Sequence, residues 1–218
     1  MLVVAIDTSC AAVTAGVVAV DDEVRPLAQR VTINPRAHGE LLAPSVAACL
    51  DEAGAAPRDV GAIVAGVGPG PFTGLRVGLV TAVAMSDALG IPAYGVCSLD
   101  AIAGALGAAS LLVASDARRR EVYWARYVDG IRVDGPHVDH PADVSTVDSA
   151  AMAGAGARLY AGVLNLPLLD ADYPEPAPLV EAAAERVRAH AASEPLTPLY
   201  LRRPDAAVPH APKPVSPR

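Results

Sequence analysis

The sequence contains one Phe, one Trp and three Cys in 218 residues, and Lys213 is its only lysine. Cys10, Cys49 and Cys97 are odd in number, widely spaced, and match neither a zinc pattern nor a CxxC pair. Free thiols of this kind suit a reducing cytosol. The run Met1–Ile6 lacks a basic leader and meets Asp7 too soon for a signal peptide. No apolar run approaches the roughly 20 residues that a bilayer span needs. A soluble cytoplasmic protein without membrane contact is expected. Charge is scarce as well, at 19% of residues with a net charge of −7. Gripping a phosphate backbone unaided calls for a basic surface, because affinity comes largely from released counterions. Here the only dense basic run is Arg118-Arg119-Arg120, followed by Arg202-Arg203. Autonomous RNA binding is therefore not expected, whereas work beside an RNA-binding partner is compatible. With 52% apolar residues, so few charges also suggest that part of the surface is covered by another protein.

What is present is an alternation of strand and helix signals. Leu2–Ile6 is a continuous apolar run, as in a strand buried on both faces. Val13–Val20 and Arg25–Ile33 follow as strands, joined at Asp21-Asp22 and ended by Asn34-Pro35. A helix is expected over 38–53, with Pro44 in an early turn or at a kink. Ala62–Val67 reads as a buried strand, and 72–89 as a second helix closed by Gly90. A short strand at 93–96 and a short helix at 98–105 complete a unit in the order of a ribonuclease-H-like lobe. The pattern restarts at Leu111–Ser115, with a hairpin across Asp129-Gly130 and a helix over 179–192. The expected division is an N-terminal lobe, 1–108, a smaller lobe, 109–203, and a Pro-rich disordered tail, 204–218.

Few residues invite chemistry. Glycines between a strand and a helix, as in Gly68-Pro69-Gly70-Pro71-Phe72-Thr73-Gly74, let amides approach an anion at the helix N-terminus. The segment lacks the Gly-Lys-Ser/Thr ending of a Walker loop, and its prolines remove donors, so a rigid turn that starts the helix competes with an anion site. Asp7-Thr8-Ser9 at a strand end could hold magnesium through water or merely cap a turn. Candidate nucleotide or anion contacts are thus Asp7, Thr8, Gly68, Gly70, Thr73 and Gly74. His38-Gly39-Glu40 lacks the second His, four residues on, of a zincin helix, and His137 and His140 have no ligand cluster nearby. No metal site and no catalytic residue is assigned. The second helix is apolar nearly all round, with Leu75, Leu79 and Val83 on one stripe and Val77, Val80, Ala84 and Ala88 on another. One stripe can face the sheet and the other a partner.

Taken together, Ile6-Asp7-Thr8-Ser9, His38-Gly39-Glu40-Leu41-Leu42, Gly68-Pro69-Gly70-x-Phe72-Thr73-Gly74-x-Arg76, Asp116-Ala117-Arg118 with Glu121-Val122-Tyr123, and Pro198-Leu199-Tyr200-Leu201-Arg202 resemble the bacterial TsaB (YeaZ) family. The motifs run in order from residue 6 to 202 and cover both lobes; 136–178 matches little. The resemblance implies two ribonuclease-H-like lobes of the actin-like ATPase (ASKHA) superfamily. It implies a heterodimer with the catalytic paralogue TsaD, which acts with the ATPase TsaE. That complex transfers threonylcarbamoyl to N6 of adenosine 37 in tRNAs reading ANN codons, giving t6A. The TsaB subunit is then a non-catalytic scaffold that meets tRNA only through the complex and forms a homodimer when alone. ATP or ADP and the catalytic metal belong to the partners, and this chain needs no cofactor of its own. The metal-binding His-x-x-x-His of TsaD falls on Ser98 and Ile102 here, and neither is a useful ligand for a transition metal. The expected partner surface comprises His38, Leu41, Leu42, Ser45 and Cys49 on the first helix and Leu75, Arg76, Leu79, Val83 and Ser86 on the second. The Leu75–Leu79–Val83 stripe is chosen as outward because Ser45 and Ser86 suit a surface edge. The competing reading is a small actin-like ATP-dependent phosphotransferase, which would need a glycine-rich phosphate loop after Asp116 where Arg118–Arg120 stand.

Overall fold

The structure is a computed structural model that describes residues 1–202; the expected tail at 204–218, with residue 203, lies outside the described residues. Five strands form the first sheet: β1 (Leu2–Asp7), β2 (Ala12–Val20), β3 (Val24–Ile33), β4 (Val60–Gly66) and β5 (Ala93–Val96), in the order β3-β2-β1-β4-β5. β1 pairs antiparallel with β2 and parallel with β4, so it lies at the centre. Its apolar run is explained by that position, because alternate side chains enter different cores. Val4 and Ile6 meet helices α1 (His38–Glu52) and α2 (Phe72–Leu89) on one face. Val3 and Ala5 meet Leu179, Val180, Ala183 and Val187 on the other.

α2 starts where Pro71 holds an extended backbone and stops at Gly90, whose left-handed φ of 65° lets its amide close on Ser86. Pro44 lies inside α1. The helix continues past it and forgoes only the bond that an amide at 44 would give the Glu40 carbonyl.

The second sheet repeats the first with one strand fewer. β6 (Ser110–Asp116), β7 (Val122–Val128), β8 (Ile131–Asp139) and β9 (Ala151–Ala153) take the order β8-β7-β6-β9, antiparallel except for the β6–β9 pair. Asp129 and Gly130 both have positive φ, 48° and 76°, as the expected two-residue turn requires. Helix α3 (Ser98–Gly104) covers one face, with Leu99 and Ile102 against Leu111, Val113 and Tyr127. Helices α4 (Ala155–Leu159) and α5 (Ala161–Leu164) cover the other. This is the expected α/β architecture of two sheets, the second repeating the strand order of the first.

Two boundaries differ from expectation. The helix expected over 179–192 is two short helices, α6 (Pro176–Glu181) and α7 (Ala184–Arg188), broken where Ala183 bonds back only three residues to Val180. Both pack on the first sheet, and so does the extended segment after them, in which Glu194 bonds Ala93 and Leu199 bonds Val67. A cut near residue 108 separates the two sheets, but the chain after 175 returns to the first of them.

Candidate functional site

The β1–β2 turn and the glycine turn before α2 touch, and the contact consumes the polar groups that made both conspicuous. Asp7 is fully buried at the end of β1. One carboxylate oxygen accepts from the Ser9 amide and hydroxyl, both at 2.7 Å, and the other accepts from the Ser98 hydroxyl at 2.5 Å. Burial raises the Asp7 pKa above its ordinary value, and the Ser98 and Ser9 bonds only partly oppose this. Thr8 donates to the Gly74 carbonyl at 2.7 Å and accepts from the Gly78 amide at 2.9 Å. The glycines are demanded by closeness: a Cβ on Gly70 would lie 2.0 Å from the Ser9 carbonyl oxygen, and one on Gly66 1.7 Å from the Asp7 carboxylate. Gly68 has φ 93°, a conformation that excludes most side chains.

Five of the six candidate anion contacts therefore come together in one closed contact: Thr8 and Gly74 bond each other, Asp7 and Gly68 bond Ser98, and Gly70 packs against Ser9. Asp7, Thr8, Gly68 and Gly70 are buried, Gly74 holds Thr8, and Thr73 alone is exposed. A magnesium ion reached through water would need an accessible carboxylate, and Asp7 offers none. His38 is buried with Nε2 2.8 Å from the Cys10 carbonyl, so it fastens α1 to the same turn. Ser98 is spent on Asp7, and Ile102 is core. Among the described residues, no group of three or more His, Cys, Asp and Glu side chains could hold a metal ion. A depression beside this closed turn is lined by Arg36, His38, Thr73, Gly74 and Arg118 among others.

The partner surface needs a correction of side. Leu75, Leu79 and Ser86 are buried on α2, as are His38, Leu42, Ser45 and Cys49 on α1, so they do not form the outer face of the two helices. The stripe that enters the core is Leu75, Gly78, Leu79, Ala82 and Ser86. Its spacing follows 3.6 residues per turn, whereas steps of four advance about 40° too far each time and carry Val83 off the buried face. Of the expected set, Arg76 and Val83 are exposed and Leu41 is half-buried. On α2, Val80, Val83 and Ala84 are uncovered, with Arg76 a turn nearer the N-terminus beside Phe72, and α1 adds Ala43, Pro44 and Ala47. Val80 is 66% exposed and Val83 45%. By length and composition α2 could cross a membrane, but its inner stripe is fixed in the core of the first lobe.

Residues 30–167 match the family model described as TsaD, tRNA N6-adenosine threonylcarbamoyltransferase. A solved Pseudomonas aeruginosa structure, described as an uncharacterized protein with similarity to peptidase YEAZ, has a TM-score of 0.77 at 32% identity, covering 92% of this chain and 99% of that one. The chain belongs to the TsaB (YeaZ) family. The Escherichia coli tRNA threonylcarbamoyladenosine biosynthesis protein TsaB is 40% identical over 97 residues, 43% of this chain and 42% of that protein. An uncharacterized Mycobacterium tuberculosis protein is 53% identical over 205 residues, covering 94% of this chain and 93% of its own length. The chain covers 56% of the length of an uncharacterized Mycobacterium leprae relative.

Two features of this TsaB-family chain escaped the sequence reading. The first is a layered cluster on the α2 face: Phe72 and Tyr200 rings 5.1 Å apart, with the Arg76 guanidinium 3.7 Å above Phe72. Its components are 124 residues apart (Arg76 to Tyr200); the family motifs included each of them, but nothing in the sequence joined them. The second is the β6–β7 turn, where Arg118, Arg119 and Arg120 all adopt left-handed φ of 63°, 52° and 64°. Such a conformation costs a non-glycine residue of the order of 1 kcal/mol or more. It is held by Glu121 to Arg118 and Ala117 to Glu121 backbone bonds, and by Arg202, which reaches the Ala117 carbonyl and the Glu121 carboxylate.

Proposed function

We propose that the chain is a non-catalytic subunit of the t6A-forming machinery, acting in the cytoplasm by docking the catalytic paralogue TsaD, with TsaE as the ATPase of the assembly. Membership of the TsaB family supports a role in threonylcarbamoyladenosine biosynthesis. The observation that carries the docking role is that two helices in contact with each other, α1 and α2, leave small and apolar side chains uncovered: Ala43 and Ala47 on α1, and Val80, Val83 and Ala84 on α2. Small and apolar side chains let two helices approach closely across an interface, and the same face would serve a homodimer when TsaD is absent. The non-catalytic reading is supported by the closed Asp7–Ser98 contact and by the buried Ile102. An actin-like phosphotransferase is disfavoured, because it would need Asp7 and the Gly68–Gly74 turn open to a phosphate. ATP or ADP and a catalytic metal are assigned to the partners.

The test is reconstitution. TsaD, TsaE, threonylcarbamoyl adenylate and unmodified tRNA are combined with and without this chain, and modified adenosine is counted. Modification that depends on the chain supports the proposal. Equal modification without it, or metal-dependent peptide cleavage by the chain alone, contradicts it.

A further inference from the structure

We propose that the rim formed by Phe72, Arg76, Tyr200 and the Arg118–Arg120 turn contacts an unpaired stretch of the tRNA substrate; this rests on the subunit role proposed above. Phe72 is 50% exposed and Tyr200 41%, an unusual placement in a chain with one Phe. The Arg76 guanidinium lies on the Phe72 ring, with its Nε donating to the Tyr200 hydroxyl at 3.3 Å, so three flat groups are held in fixed register at the surface. Aromatic and guanidinium planes of this kind are the platforms on which unpaired bases stack.

Positive charge converges on the same place. Arg118 and Arg36 line the depression that begins at Thr73, next to Phe72. Arg119 and Arg120 continue the turn and are exposed. Arg202, two residues after Tyr200, fastens that turn to the aromatic cluster through Ala117 and Glu121. Arg36, Arg76, Arg118, Arg119, Arg120 and Arg202 thus border one rim of a molecule whose net charge is −7, with Asp116 beside Arg118 and Glu121 beside Arg202 as the carboxylates paired with them. An acidic peptide would answer the arginines but leave the ring faces unused, whereas RNA supplies both phosphates and bases. The acidic remainder of the surface explains why the chain alone is expected to hold RNA poorly and to contribute its contact inside a complex.

The experiment is a titration of the complex with TsaD against fluorescein-labelled unmodified tRNA reading an ANN codon, with a DNA duplex as a charge control. Coelution with TsaD and thermal unfolding are measured for each variant. Phe72→Ala and Tyr200→Ala are expected to weaken tRNA binding about tenfold while leaving duplex binding, folding and coelution unchanged. Arg118→Ala and Arg120→Ala should each reduce the salt slope of tRNA binding by about one. Intact complexes whose tRNA affinity and salt slope equal the wild type overturn the proposal and leave the subunit role standing. Variants that fold but release TsaD also overturn it, because the rim is then a protein contact. Failure of the wild-type chain to hold TsaD is a separate result that overturns the subunit role and, with it, the tRNA contact that rests on it.

Discussion

Asp7 shows how a side chain with the look of a metal or phosphate ligand can be wholly engaged in structure. Its carboxylate joins β1 to the start of α3 through Ser98, 91 residues away. Its folded-state pKa lies above the unfolded value near 3.8, so ionisation of the buried group opposes folding. The stability that goes with the bound proton is fully present below the unfolded pKa and is lost as the pH rises through the folded pKa. Asp7→Asn removes that titration. Its melting temperature relative to the wild type should therefore climb as the pH is raised from below 3.8 toward neutrality. A difference that stays flat across this range, or falls, would mean that the Ser9 and Ser98 bonds outweigh burial. The sequence indicated that Asp7 ends a strand. Its partners could not be read, because Ser98 is brought to it only by the return of the chain through β4 and β5.

At the scale of elements, α2 was legible in extent but not in orientation. Its bounds, 72 and 89, follow from Pro71 and Gly90, which fix where a helix can begin and end. Its inward face is set by closeness rather than by hydrophobicity, since both stripes are apolar. Gly78 is the informative residue: a Cβ there would lie 2.5 Å from the Thr8 hydroxyl, so the helix side carrying Gly78 must face β1 and its turn. Leu79 shares that side and is 6% exposed. Leu79→Asp would place a carboxylate in the core and also remove apolar contact, at a cost of about 3 kcal/mol or more. Loss of the cooperative thermal transition is the expected outcome. A variant that melts like the wild type would return Leu79 to the surface and undo the assignment of faces.

For the whole molecule, the repeat of the strand pattern at residue 111 revealed two sheets, and the motifs revealed the family. The route of residues 175–202 was not legible, because short helices rich in alanine carry little periodicity and residues 189–202 have none. That route matters. Leu179, Val180 and Val187 cover Val3, Val18 and Val64, while Leu196 and Leu199 pack beside the opposite face of the same sheet. A fragment of residues 1–108 would expose those valines and is expected to show no cooperative unfolding; a stable fragment would mean that α6 and α7 are dispensable to the first lobe.

The central claim is that this chain works by presenting the outer face of α1 and α2 to TsaD. Val80→Asp probes that face with the least disturbance of the fold, because a side chain 66% exposed can be exchanged with a change in folding stability within about 0.5 kcal/mol. In an interface, the same exchange removes apolar burial and strands a carboxylate, together worth about 2.8 kcal/mol or more. The decisive measurement is calorimetric titration of TsaD with the wild-type chain and with Val80→Asp, each shown to melt at the same temperature. The account predicts an affinity loss of about a hundredfold. Equal affinities would contradict it and place the partner elsewhere on the molecule.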